Sequence, residues 1–576
     1  MKHHNILRHC IFALAGAAAL TGCIEETFPS GAATSEQVAK DPMALQIIVN
    51  ALTNYTIETK TFGGTDYTDG GMPGWMFAKD VMCEDFPASS TDWDWFHMIA
   101  NGTGTAWGEL PYYYYYTFID KINDVLKGQS FDNISGEGRA MAGNLYGFRA
   151  MCYFELARLF EYQPTGYSQL DNQAATDKII GLTVPIIEAR DYTVAEYVNN
   201  PRAPFYKMYR FIWNDLCLAE EMLEGYTRPK VSLMDESVIH GFKARFWLEL
   251  ASRFDRSSDD LAAQLQQEGS DDGYRDLGIR TALECYRNAL AEADKVIASG
   301  YTPTTEADWF NPKTGFCKPT SAWVWGSYIT SAEENPGRWY SFNSWICTEP
   351  SWGWTSDEYA CFRCISSSLY ATIPDADWRK KSWIDPQFAG DGTKVAANYQ
   401  IVQSADYASN YPAYANLKFR VPDVSSYTAG LTCCTPFMRV EEMMLLRAEA
   451  LYHTDGLGAA KSALEEFVNG YRYTGDTRYT CDATNYNGFI SALMNQRRIE
   501  FWGEGIVFYD YKRLRLQVNR ASVANYPENN RLVTLPGYVA PWMNAYISEY
   551  AVSTKSSDFK GNPNFSGVVA PPSSNN

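Results

Sequence analysis

The segment Thr91-Asp92-Trp93-Asp94-Trp95 sets two indole rings on either side of a carboxylate. A sugar has an apolar C–H face and a polar rim. An indole face stacks on the first, and neighbouring Asp, Asn or Arg groups hydrogen-bond the second. Trp75 lies in the same Gly- and Asp-rich stretch, 60–104. A second group, Trp339, Trp345, Trp352 and Trp354, stands among Arg338, Asn343, Asn335 and Glu349. Nine of the 17 Trp fall between Trp309 and Trp383, so this stretch is built around indoles. Rings on irregular segments point to stacking on a ligand. Trp213, Trp247 and Trp502 lie at apolar helical positions and read as core; Trp323, Trp325, Trp378 and Trp383 read as core beneath loops. The candidate glycan contacts are therefore Trp75, Trp93, Asp94, Trp95, Arg338, Trp339, Asn343, Trp345, Trp352 and Trp354.

Other chemistry is less well supported. Paired carboxylates occur at Asp66/Asp69, Asp92/Asp94 and Asp375/Asp377. A glycosidase needs two carboxyls roughly 5–9.5 Å apart, which sequence spacing does not establish. All three pairs read equally as loop acids or helix caps, so a helical glycosidase or lyase is the less favoured alternative and no catalytic residue is assigned. Six His, scattered, make no His-rich metal centre. The Asp-rich loops at 66–69 and 391 are compatible with a structural calcium ion, without the spacing of an EF-hand; no other cofactor is expected. Cys152, Cys217 and Cys285 read as small buried hydrophobes. Cys361-Phe-Arg-Cys364 lacks the βαβ context or second ligand pair that a redox or zinc site requires.

The rest of the chain must position these rings. With 46% hydrophobic and 20% charged residues, 576 residues can bury a large core. A formal charge of −19 and no basic block exclude a nucleic-acid binder. Apolar residues recur at helical spacing over 42–55, 105–127, 137–162, 204–225, 236–254 and 279–299. In 137–162 the stripe runs through Leu145, Phe148, Cys152, Leu156 and Leu159, with Arg149 and Arg158 off it. Asp41-Pro42 suits a helix start and Gly300 a helix end. A second set comprises a helix from Pro436 through His453, its antiparallel partner Lys461–Tyr471, and helices over 486–502 and 506–518. Paired amphipathic helices with short turns are tetratricopeptide-like units, without a clean 34-residue period. The expected architecture is mainly α. A helical scaffold over about 41–300 and 436–518 carries loop-rich insertions over about 60–104 and 301–435. Residues 322–325 read as one short strand.

The N-terminus carries Lys2 and Arg8, then an apolar run from Cys10 to Leu20, too short to span a bilayer. It ends in Leu20-Thr21-Gly22-Cys23, the pattern of a bacterial lipoprotein signal. The expectation is a signal peptide over 1–22, lipidation at Cys23 and a flexible tether over 23–40, with 41–576 as a single domain. The lipid would be the sole membrane attachment.

Four segments together resemble the SusD/RagB family of outer-membrane nutrient-binding lipoproteins. They are AMAGNLYGFRAMCYFELARLFEYQP (140–164), CISSSLYATIPDADWRKK (364–381), FMRVEEMMLLRAEA (437–450) and QRRIEFWGEGIVFYDYKRL (496–514). Glu25-Glu26 behind Cys23 agrees with surface export. The sequence departs from the family at Val507, where Arg or His often follows the Glu-Gly pair; that position reads as packing. The resemblance implies a SusD-like fold and a non-catalytic protein at the cell surface. Such a protein captures poly- or oligosaccharide and delivers it to a SusC-like TonB-dependent transporter of the outer membrane. Peptide or glycoprotein capture on the same fold is the alternative. The family's ligand residues sit in variable loops, so none is carried over.

Overall fold

The computed structural model describes residues 41–58, 71–87, 105–131, 134–331, 346, 362–402, 409–421 and 429–569. The signal, Cys23 and the tether lie outside them. Helices dominate. Those that form the scaffold are α1 (Pro42–Tyr55), α2 (Gly71–Val81), α3 (Thr105–Leu126), α4 (Gly136–Phe160), α5 (Phe205–Leu223), α6 (Glu236–Arg256), α7 (Ala282–Ala298), α8 (Val440–Thr454), α9 (Leu457–Tyr471), α10 (Tyr486–Glu500) and α11 (Val507–Leu514).

Local signals account for many of the ends. The Asp41 side chain accepts from the Met43 N–H and Pro42 takes the first turn of α1. A reciprocal Thr281/Glu284 capping box opens α7, and Gly300 follows it at φ +91°. The helices stack as a row of neighbours: α1 and α3 on α4, α4 on α5, α6 on α7, α8 on α9, and α8 and α9 on α10. Between them α7 packs on α8, although about 140 residues separate them in sequence. The stack is therefore continuous, and residues 301–435 leave it and return.

Two expectations need correction. Stretch 60–104 contains a helix, α2, whose eleven residues are all buried. Apolar residues on every face hide the 3.6-residue period that marks a half-exposed helix. Pro436 does not begin α8. Pro436–Arg439 is a strand, β2, antiparallel to β1 (Trp323–Gly326), with Trp323 opposite Arg439 and Gly326 opposite Pro436. The ladder buries all eight residues, and α8 starts at Val440, whose N–H donates to the Ala322 carbonyl at 2.9 Å. Arg149 and Arg158 are off the apolar stripe but not exposed; each is 7% accessible and ion-paired, Arg149 to Asp215 and Arg158 to Glu155.

One continuous core runs through the stack and takes in Trp309, Trp323, Trp325, Trp378 and Trp383. The insertion adds a small core of its own, including Phe362, Ile384, Val395, Tyr411 and Leu417.

Candidate functional site

The segments that carry the candidate rings spring from one patch. Trp93, Asp94 and Trp95 lie in 88–104; Arg338, Trp339, Asn343 and Trp345 in 332–345; Trp352 and Trp354 in 347–361. All nine lie outside the described residues, but the points where the chain enters and leaves do not. The Cys364 N–H donates to the Pro87 carbonyl at 3.2 Å, and the Ser366 N–H to that of Asp85 at 3.2 Å. Asn416 bridges the other ends: its side-chain amide donates to the Ile346 carbonyl at 2.7 Å, and its backbone N–H to that of Arg363 at 2.9 Å. Beneath the patch, Phe86 stacks on Trp502 with centroids 4.1 Å apart and planes at 10°. The Trp502 indole N–H donates to the Asp85 carbonyl at 2.8 Å, and Arg498 grips the Asp85 carboxylate through two bonds of 2.6 Å. Arg498 and Trp502 belong to the 496–514 segment, so this motif fastens the roots of the Trp-bearing segments to α10.

Trp75 departs from expectation. It lies on α2 at 1% exposure, inside the core, where no ligand reaches its face. The Gly-rich neighbourhood suggested a loop; the helix around it seals the ring. The indoles read as core are core: Trp323, Trp325, Trp378 and Trp383 are each at most 4% exposed. Trp325 and Trp378 donate their indole N–H to the Ser232 and Tyr471 carbonyls. Exposed rings were missed elsewhere. Tyr113, Tyr197 and Tyr550 line a groove of about 380 Å³ with Asp120 and Lys555, and Tyr113 stacks on Tyr550 at 6.2 Å. The run Tyr112–Tyr116 is contiguous, so only the rotation of α3 distinguishes exposed Tyr113 from buried Tyr114 and Tyr115.

The family-like segments form a buried ionic lattice. The Glu500 carboxylate receives Arg472 at 2.7 and 2.9 Å, Arg439 at 3.0 Å and Arg379 at 2.9 Å. Glu504 receives Arg439 at 2.8 and 2.9 Å and Lys418 at 2.5 Å. Although burial opposes ionisation, these guanidiniums hold the Glu500 carboxyl well below the usual carboxylate range. Arg513 pairs with Glu449 and Asp510, and Arg497 with Asp510. The Lys512 ammonium meets only carbonyls, those of Arg158, Leu159, Glu161 and Met543, at 2.7–3.1 Å; burial lowers it to about 7. The Glu-Gly pair also has a steric reason. Gly505 stands at φ +68°, and a Cβ there would lie 2.4 Å from the Met76 Cα. Val507 is 4% exposed, so its departure from the family is absorbed by packing.

The candidates for acid–base chemistry are otherwise engaged. Asp377 is buried, caps the turn at Trp378–Ser382 and holds Arg379; Asp375 is exposed and paired with Lys380. Asp391 caps the helix Gly392–Asn398. Asp66, Asp69, Asp92 and Asp94 lie outside the described residues. Glu220, His240 and Glu292 bring donor atoms within 4.8 Å of one another, but Lys243 pairs with Glu220 and Lys295 with Glu292. An internal cavity of about 60 Å³, lined by Lys79, Glu155, Arg158, Glu249 and Arg497, has room for a few waters and not for a sugar. There Lys79 and Arg158 hold Glu155 at about 2.

A helical stack with an irregular insertion, and a shared root for aromatic-bearing segments, defines a SusD-like class of fold. Residues 348–557 match the SusD family. A SusD-like carbohydrate-binding protein of Bacteroides vulgatus is 18% identical, covering 90% of this chain and 98% of its own, with a TM-score of 0.62. A SusD superfamily protein of Bacteroides thetaiotaomicron is 16% identical over 91% and 99%, with a TM-score of 0.63. Surface glycan-binding protein A of the same organism, solved with laminarihexaose, is 13% identical over 90% and 99%, with a TM-score of 0.59. No curated protein matches the chain. The chain thus resembles the SusD family over residues 348–557 and shares the fold of SusD-like proteins over about nine-tenths of its length.

Proposed function

We propose that this protein is a cell-surface glycan-binding lipoprotein, non-catalytic, anchored to the outer membrane through Cys23. It captures poly- or oligosaccharide by stacking on loop aromatics and passes it to a SusC-like TonB-dependent transporter. The observation that carries the reading is the shared root: the ends of 88–104 and 347–361 are hydrogen-bonded at Pro87 and Cys364, and Ile346 is tied to Arg363 through Asn416. Several weak aromatic stacks along one polymer would add, which is the role this reading gives to Trp93, Trp95, Trp345, Trp352 and Trp354. The kinship with carbohydrate-binding SusD-like proteins supports it, as does the engagement of Asp375 and Asp377 in ion pairs. No helix among the described residues is long and apolar enough to cross a membrane.

Affinity electrophoresis against a panel of neutral and acidic polysaccharides tests the reading, using the mature protein and the Trp93→Ala, Trp95→Ala, Trp345→Ala and Trp352→Ala variants. At least one polysaccharide should retard the wild type, and at least one variant should migrate faster on it. Retention of all four variants at wild-type strength would remove these rings from the site. Shortened chains after overnight incubation would make the protein an enzyme.

A further inference from the structure

A groove of about 550 Å³ lies away from the roots of the Trp-bearing segments, between Glu161–Pro164, Ile180–Leu182 and the end of α6. Arg253, Arg256 and Arg515 line it. Arg253 is neutralised by Glu161, at 2.5 and 2.9 Å, and by Asp260 at 2.8 Å. Arg256 is not: it donates to two carbonyls, Arg513 at 2.6 Å and Ser252 at 3.4 Å. The Arg515 guanidinium makes no hydrogen bond or ion pair among the described residues, and its Nε is buried. Neither guanidinium is hydrogen-bonded to a carboxylate, although Glu161 and Asp260, both paired with Arg253, also line the groove. Elsewhere Arg149, Arg379, Arg439, Arg472 and Arg513 converge on acids, whereas Arg202 and Arg520 donate to carbonyl oxygens. Gln163 also lines the groove; it is 7% exposed, and its side-chain oxygen has no partner. Arg515 sits at φ +53° as the left-handed C-cap of α11.

We propose that this groove binds the carboxylate or sulfate group of an acidic sugar residue, with Arg256 and Arg515 as the anion clamp and Gln163 accepting from a hydroxyl. An anion would supply the missing counter-charge through charge-assisted hydrogen bonds, and a guanidinium matches its planar or trigonal oxygens. The apolar share of the lining, Tyr206, Phe205 and Pro164, suits the C–H face of the ring. Burial, then the neighbouring Arg515, lowers Arg256 to about 10, a cost that a bound anion relieves. The sugar identity rests on the glycan-binding reading above; the anion site does not.

Calorimetric titration of the full mature chain with tri-galacturonate, its methyl ester, acetate and sulfate separates these terms. Tri-galacturonate should bind, and the neutral ester should bind at least about tenfold more weakly, for it lacks the charge-assisted bonds. Arg515→Gly should lose affinity by a similar factor while its ligand-free melting temperature does not fall, because glycine accepts the left-handed backbone. Arg256→Gln should lose affinity as well. Equal binding of the ester, or unchanged affinity in Arg515→Gly, overturns the site. Acetate and sulfate binding as tightly as the trimer would make the occupant a free anion and overturn the acidic-sugar assignment. The Trp variants above are read on neutral polysaccharides, so failure of the loop site and failure of this groove are seen separately.

Discussion

At the scale of residues, the molecule places most of its unusual charges inside. Glu500 is fully buried beneath three guanidiniums. Glu500→Gln removes the charge that compensates them, and breaking such a buried set costs about 3–5 kcal/mol. The expected outcome is that loss in a urea denaturation curve, with the midpoint lowered and the slope unchanged. Asp80 carries the opposite sign. Burial raises its carboxyl to about 7, against a usual value of 3.8. A raised acid binds a proton more tightly folded than unfolded, so stability falls as pH rises between those values. Asp80→Asn should therefore raise the melting temperature at pH 8 and change it little at pH 3.5, and its carbonyl can still accept the Gly505 N–H that Asp80 accepts at 3.1 Å. Glu155, held at about 2, works the other way: its stabilisation is complete above about 4.5 and is lost as pH falls toward 2.

At the scale of elements, one close approach fixes the β1–β2 ribbon on α6. A Cβ on Gly241 would lie 2.1 Å from the Met438 sulfur, so the Met438 side chain of β2 packs directly on the backbone of α6. Gly241→Ala should destabilise by about 1–3 kcal/mol through overpacking, despite alanine's better helix propensity. Met438→Ala opens the space, so the double variant should be less destabilised than the sum of the singles. A double-mutant cycle followed by thermal denaturation checks the sign. Additivity would mean that β2 shifts freely on the helix.

At the scale of the whole molecule, the proposed ligand face would be coupled to the scaffold through Asp85, whose carboxylate Arg498 grips and whose carbonyl accepts from the Ser366 N–H. Arg498→Gln leaves the buried Asp85 carboxylate without its bidentate partner. It should lower both the unfolding midpoint and the retention of polysaccharide, although Arg498 lies beneath the patch and not on it. If Trp93 and Trp95 serve the ligand as proposed, Trp93→Ala with Trp95→Ala should lower retention while stability stays within about 0.5 kcal/mol. Gel retention and thermal melting measured side by side separate the two. Wild-type retention in Arg498→Gln would uncouple the root from the binding face.

The sequence alone was enough for whatever depends on neighbours along the chain. Helical periods located α1, α3, α4, α5, α6, α7, α9 and α10 closely, Asp41 and Gly300 marked their ends, and three of the four family-like segments lie in the stretch that matches the SusD family. It did not determine what depends on faces meeting across the fold. Trp75, expected at the ligand, is core, and Tyr113, which the sequence did not single out, is exposed, because burial is set by what packs over a helix and composition around α2 and α3 does not record it. Pro436–Arg439 became a strand because β1, more than 100 residues earlier, offered it a ladder. The charges of 496–514 look like a solvated face when written out. They are interior because Arg379, Lys418, Arg439 and Arg472 arrive from distant segments to meet them, and a buried charge persists only where such partners are brought to it.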